Sequence, residues 1–183
     1  MKNLFAAILV ATALFSADFR ELNWGMSPDE VISKEGEPVL RTSEVIVYTK
    51  EIGGHQTIFS VLFYKDSLAG AIIKINPRNS NVQQNLLDYL DIVKAIEQSY
   101  GKHTGEDAEW KGSTFLREDR NDWGLAIASG YLEISHYWTL NETMILSEIN
   151  GNNYKTHINI AYSAVRYQAK LLKHHKQNQK KEF

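Results

Sequence analysis

The chain has 183 residues, 43% of them apolar and 23% charged, with 20 Lys and Arg against 22 Asp and Glu. That balance excludes a disordered, collagen-like or coiled-coil chain. A net charge of −2 argues against a dedicated nucleic-acid binder, and the absence of Cys excludes disulfides, thiolate metal sites and Cys nucleophiles.

The first residues read as an export signal. Lys2 is followed by a run from Leu4 to Phe15 that is apolar apart from Thr12, then by Ser16, Ala17 and the first acid, Asp18. A bilayer span needs about 20 such residues, so the run fits the hydrophobic core of a signal peptide instead. Ala11-Thr12-Ala13 matches the small-x-small cleavage rule best, which places cleavage between Ala13 and Ala17. Residues 1–17 are therefore expected to be a signal peptide, 18–164 a single domain in the periplasm or outside the cell, and 165–183 a basic tail.

Ser27-Pro28-Asp29-Glu30 is a helix start, with Ser27 as N-cap, Pro28 at the first helical position and Glu30 closing a capping box. Gly36 and Pro38 end that helix. Three strands are predicted next: Ser43 to Ile52, a Gly53-Gly54 turn, His55 to Tyr64, a turn at 65–67, and Leu68 to Asn76. The middle strand is apolar on both faces, so it is expected to be central and covered on both sides.

Ser80 and Gln83 suggest a second capping box. Val82, Leu86, Tyr89, Leu90, Val93, Ile96 and Tyr100 recur at helical spacing as far as Gly101. Residues 102–124 are polar and acidic and read as loop, with one helical turn near Phe115 to Asp119. A second β region is expected from Leu125 to Tyr162, with strict alternation over Leu132–Leu140 and Tyr154–Tyr162 and a hairpin at Asn150-Gly151. The order is helix, strands, helix, strands. The expected fold is thus α+β, antiparallel with helices on one sheet face, in two tandem helix-plus-strands modules at about 23–76 and 80–162.

The segment Asn23-Trp24-Gly25-Met26-Ser27-x-x-Glu30-Val31, followed by Gly36-Glu37-Pro38, resembles the opening of SmpA/OmlA (BamE-like) domains. Leu62-Phe63-Tyr64-Lys65-Asp66-Ser67-Leu68 is similar to that family's second hairpin. The doubled order of elements also resembles the tandem arrangement of β-lactamase-inhibitor proteins, which grip another protein with a concave sheet. The resemblance implies an envelope setting, a protein-binding role and no catalytic residues. The lipid-anchor Cys of SmpA/OmlA lipoproteins has no counterpart in this chain.

The residues with chemical potential read as structural. None of the six His shares a helix face with a second ligand at metal-binding spacing. His136 falls on the apolar face of its strand and reads as a hydrogen-bonded core histidine, while His157 lies on the polar face. His174 and His175 are adjacent and do not converge if helical. Asp88, Asp91 and Glu97 read as a solvated helix face, with Asp91 supported by Lys94. Glu106, Asp107 and Glu109 lack the spacing of a calcium loop and read as charged surface. Neither a nucleophile elbow nor a phosphate-binding loop is present.

These readings assign no catalytic residue, metal or cofactor. Tyr131, Tyr137 and Trp138 are the candidate surface for a partner, expected to be another protein or a component of the cell envelope. Six basic residues against Glu182 alone give 166–183 a net charge of +5, so membrane contact is expected to be at most peripheral, through that tail. Two alternatives stand beside this binding role: a hydrolase-type enzyme whose site has no motif, and a carrier of a small apolar ligand with a cavity between helix and sheet.

Overall fold

The computed structural model describes residues 19–77, 79–112 and 115–169. The expected signal peptide and most of the basic tail lie outside the described residues. Among the described residues no helix is long and apolar enough to cross a membrane.

Eight strands form one antiparallel sheet: β1 (Leu40–Arg41), β2 (Val45–Ile52), β3 (His55–Tyr64), β4 (Ser67–Ile75), β5 (Gly105–Trp110), β6 (Leu132–Thr139), β7 (Thr143–Asn152) and β8 (Lys155–Ala164). Their order is β1-β2-β3-β4-β8-β7-β6-β5. Among the described residues they are accompanied by the helices α1 (Pro28–Glu35), α2 (Val82–Tyr100) and α3 (Trp123–Ala128). Residues 165–169 are also helical.

This corrects the expectation of two tandem modules. The meander β1–β4 and the meander β5–β8 fuse, because β4 pairs with β8 from Gly70↔Ser163 to Ile75↔Ile158. The join is apolar on its covered face, where Ile73 lies opposite Ile160. Two half-sheets, each with an apolar row at its edge, bury those rows by pairing with each other. One core results, running from Phe59 and Tyr48 through Ile160 and Ile145 to Leu132 and Trp138.

Alternation decides which face is covered. Phe59, Val61 and Phe63 are buried, while Ile58 on the other face of β3 is 43% exposed. The strand expected to be covered on both sides is therefore covered on one. Phe19, Leu22 and Trp24 close the covered face at one end, with Phe19 4.1 Å from the Tyr162 ring. The Trp24 indole N–H donates to Thr143 Oγ1 at 2.8 Å.

α1 forms as its sequence dictates: Ser27 caps it, its backbone N–H donates to Glu30, and Gly36 at φ +85° ends it. α2 is capped by Asn81, whose side chain accepts from the Gln83 N–H, not by Ser80. Gln83 is occupied elsewhere. Its side chain accepts from the Gly124 N–H and donates to the Arg120 carbonyl, which ties α2 to α3.

Three further expectations are corrected. The acidic stretch 105–110 is a strand, at the sheet edge, where charged side chains guard unpaired backbone groups. Leu125 belongs to α3 and not to a strand. The last hairpin turns at Asn153-Tyr154, with φ of +47° and +61°, while Asn150 and Gly151 pair within β7.

Candidate metal centre

α2 ends at Gly101, where φ of +84° turns the chain back toward the sheet. Four residues later β5 begins, antiparallel to β6, in a register that sets Glu106 opposite His136 on the covered face. Two bonds hold the intervening turn. The Thr104 N–H donates to the Tyr137 carbonyl at 2.7 Å, and the Thr139 N–H to Thr104 Oγ1 at 2.9 Å. This delivers His103 to the same place.

The result is a convergence of three donors. Glu106 Oε2 lies 3.6 Å from His103 Nε2 and 3.6 Å from His136 Nε2. All three ligand atoms lie within 4.8 Å of one another. His136 is buried, His103 nearly so, and Glu106 opens to solvent with 69% of its side chain exposed.

The far nitrogen of each ring is already committed. His103 Nδ1 stands 2.8 Å from Glu97 Oε1, and that hydrogen bond holds the Glu97 carboxyl below its ordinary range. A carboxylate accepts, so Nδ1 of His103 is the donor in that bond, and Nε2 is the ring nitrogen turned toward Glu106. His136 Nδ1 lies 2.8 Å from the Tyr89 hydroxyl, which also lies 3.0 Å from the Ser147 carbonyl. The phenol has one proton, and a carbonyl can only accept it. The network therefore assigns Nδ1–H of His136 as donor to the Tyr89 oxygen, which in the neutral ring leaves Nε2 as an acceptor. Burial, ahead of the neighbouring His103, holds His136 below the usual imidazole range and so favours this neutral form.

Two imidazole nitrogens and a carboxylate oxygen thus converge. Without a cation or proton between them they repel; with one they are a ligand set. Zn²⁺ takes such donors at about 2.0–2.2 Å, so tetrahedral neighbours stand ~3.4 Å apart. The two separations from Glu106 are 3.6 Å, close to this, and the two His nitrogens lie within 4.8 Å of each other. Glu97 and Tyr89 stand where outer partners fix ring orientation in histidine metal sites.

The centre lies on the wall of a cavity of about 540 Å³ between α2, the β5–β6 edge and the segment before α3. Leu86, Leu87, Leu90 and Ile134 line it with Trp123 and Arg120, and Glu106 and His136 contribute to the same wall. A second cavity of about 420 Å³ lies between α2 and the other half of the sheet, lined by Ile73, Ile92, Ile96 and Tyr162.

Of the expected partner surface, Tyr131 and Tyr137 are each 43% exposed and Trp138 is fully buried. Trp138 is removed from that surface because β6 alternates: its indole points to the covered face and donates to the Gly101 carbonyl at 2.8 Å. There it meets His103 edge-on, 6.1 Å between ring centres, and backs the metal centre. Tyr137 lies on the opposite face, over Gly105, where a Cβ would overlap its ring. Asp88 and Asp91 do not join Glu97: Asp91 pairs with Lys94 and Asp88 accepts from Gln84 and Asn79.

The core-histidine reading of His136 captures its burial and its bond to Tyr89 but not its second nitrogen. No helix-face spacing connects His103 to its partners, which come from a helix end and an edge strand. The only local signal was the three-residue step from His103 to Glu106. Comparisons of the chain with family models, with curated proteins and with solved structures find no match.

Proposed function

We propose that this protein is an exported binding domain whose ligand includes a divalent transition-metal ion, held by His103, Glu106 and His136. One observation carries the metal: two imidazole nitrogens and a carboxylate oxygen converge while the outer nitrogen of each imidazole is engaged. Two imidazoles with one carboxylate suit borderline divalent ions such as Zn²⁺ and Fe²⁺ rather than Ca²⁺ or Mg²⁺. Export rests on the apolar run Leu4 to Phe15, and an envelope setting on the SmpA/OmlA-like opening.

The test is a Zn²⁺ titration of the full chain without an added histidine tag. One ion per chain is expected, with at least tenfold weaker binding in His103→Ala and in Glu106→Gln. Because His174 and His175 lie in the tail, the same titration in a His174→Gln/His175→Gln background separates the two sources. Binding that survives in His103→Ala and vanishes in the tail variant overturns the proposal.

The uncovered sheet face supports a protein or envelope partner as a second role. Tyr137, Leu146 and Ile58 are exposed on it. A photo-reactive analogue placed at Tyr137 in cells tests this: a discrete adduct absent from a Glu109 control supports it, and equal labelling at both positions opposes it.

A further inference from the structure

We propose that a metal held by His103, Glu106 and His136 takes in its open position the anionic head of a small amphipathic acid, whose apolar body lies in the adjoining 540 Å³ cavity. This rests on the metal-binding reading and extends it to a class of ligand. Three observations support it.

The first is placement. Glu106 and His136 both line the cavity, so an ion between them has that space on its unfilled side. Three protein ligands leave a fourth position for a water or another donor. The second is wall chemistry. Leu86, Leu87 and Leu90 on α2 line the space together with Ile134 on β6 and Trp123. Such a wall accepts hydrocarbon, and its volume falls within the range of small-molecule sites.

The third is charge. A divalent ion with one carboxylate and two neutral imidazoles keeps a formal charge of +1. Arg120 adds a second positive charge at the cavity, its guanidinium lying over the Trp123 ring at 5.0 Å from the centroid. Asp107, which also lines the space, offsets one of them and accepts a hydrogen bond from the Ala108 N–H. With the Glu97 carboxylate on His103 counted, the sum is near zero, so the anionic head is drawn by the ion's open position and by Arg120 rather than by net charge.

Hexanoate and acetate serve as probes, titrated into the full chain with and without one equivalent of Zn²⁺, after Zn²⁺ alone has been titrated. Hexanoate is expected to bind the Zn²⁺-loaded chain at least tenfold more tightly than the metal-free chain. By linkage, hexanoate then tightens Zn²⁺ by the same factor. Acetate, which lacks the apolar body, is expected to bind at least tenfold more weakly than hexanoate. Arg120→Gln and Leu87→Gln each weaken hexanoate severalfold and leave the affinity for Zn²⁺ alone unchanged; Leu87 is 46% exposed, so its replacement spares the core. Equal hexanoate affinity with and without metal, acetate as tight as hexanoate, or no effect of Leu87→Gln overturns the inference. A chain that binds Zn²⁺ without coupling to hexanoate loses the ligand and keeps the metal. A chain that binds no Zn²⁺ loses both.

Discussion

The Tyr89 hydroxyl stands 2.8 Å from His136 Nδ1 and 3.0 Å from the Ser147 carbonyl, so one buried phenol joins α2 to β6 and β7 and orients a candidate metal ligand. Burial pushes that hydroxyl well above the usual phenol range, which keeps it protonated and able to donate. Replacing Tyr89 with Phe keeps the ring and removes both bonds. The variant is expected to lose about 1–3 kcal/mol of stability, since a buried carbonyl and a buried ring N–H lose their partner. It is also expected to bind Zn²⁺ about 10–100-fold more weakly, as loss of an outer-shell partner does elsewhere. Urea midpoints and a Zn²⁺ titration measure the two effects. Unchanged metal affinity in a destabilised variant would reduce Tyr89 to a packing residue.

The depressed basicity of His136 has a consequence for stability. Burial holds its folded-state pKa below the ordinary imidazole value. As pH falls below about 6.5, the unfolded chain takes up a proton that the folded chain refuses, so stability falls with pH until the folded-state value is reached. Above pH 7 both states hold the ring neutral and this contribution is flat. The urea midpoint of the metal-free chain is thus expected to decline between pH 7 and pH 5, with a smaller decline in His136→Gln. With Zn²⁺ bound the decline steepens, because protons compete with the ion for Nε2. An identical slope in wild type and His136→Gln would assign the acid sensitivity elsewhere.

Gly105 and Tyr137 should behave as a coupled pair. The Tyr137 ring occupies the space a Cβ on Gly105 would need. Gly105→Ala is expected to cost about 1–3 kcal/mol by overpacking and to weaken Zn²⁺ binding, since the residue lies between His103 and Glu106. Tyr137→Ala removes the obstacle, so the double variant is expected to recover most of the loss, with a coupling energy of about 1 kcal/mol or more. Additive losses in the cycle would show that the overlap is relieved some other way.

Local chemistry was legible in the sequence wherever a single segment decides its own conformation. The α1 cap is an example, since Ser27, Pro28 and Glu30 satisfy the helix end among themselves. The Gly53-Gly54 turn is another, because positive φ at both positions selects glycine. What escaped depends on contacts between distant segments. Nothing in β4 or β8 alone says that they pair, and the acidic residues of β5 hide a strand because an edge tolerates charge. The candidate centre falls in this second category. It requires the Glu106↔His136 register and the turn after Gly101 together, and neither is written in a local pattern.

The last hairpin puts this contrast to a quantitative test. Asn150-Gly151 has the composition of a tight turn, yet Gly151 lies inside β7 opposite Thr156. A Cβ there would come within 2.5 Å of the Ile127 carbonyl oxygen and 2.9 Å of Ala128 Cα, both backbone atoms of α3. Gly151 is therefore a packing residue that lets α3 lie on the strand, and backbone cannot rotate away as a side chain can. Gly151→Ala is expected to cost about 3 kcal/mol or somewhat more, at the upper end of overpacking losses. The turn itself is made by Asn153 and Tyr154, and Tyr154 holds a left-handed conformation at φ +61° with 73% of its surface exposed. Left-handed backbone costs a residue with a Cβ about 1–2 kcal/mol, and Asn tolerates it better than Tyr. Tyr154→Gly is thus expected to raise stability by about 0.5–1 kcal/mol after the extra chain entropy of glycine is counted. Opposite shifts of the urea midpoint in the two variants locate the turn at 153–154; a stabilising Gly151→Ala with a destabilising Tyr154→Gly would return it to 150–151.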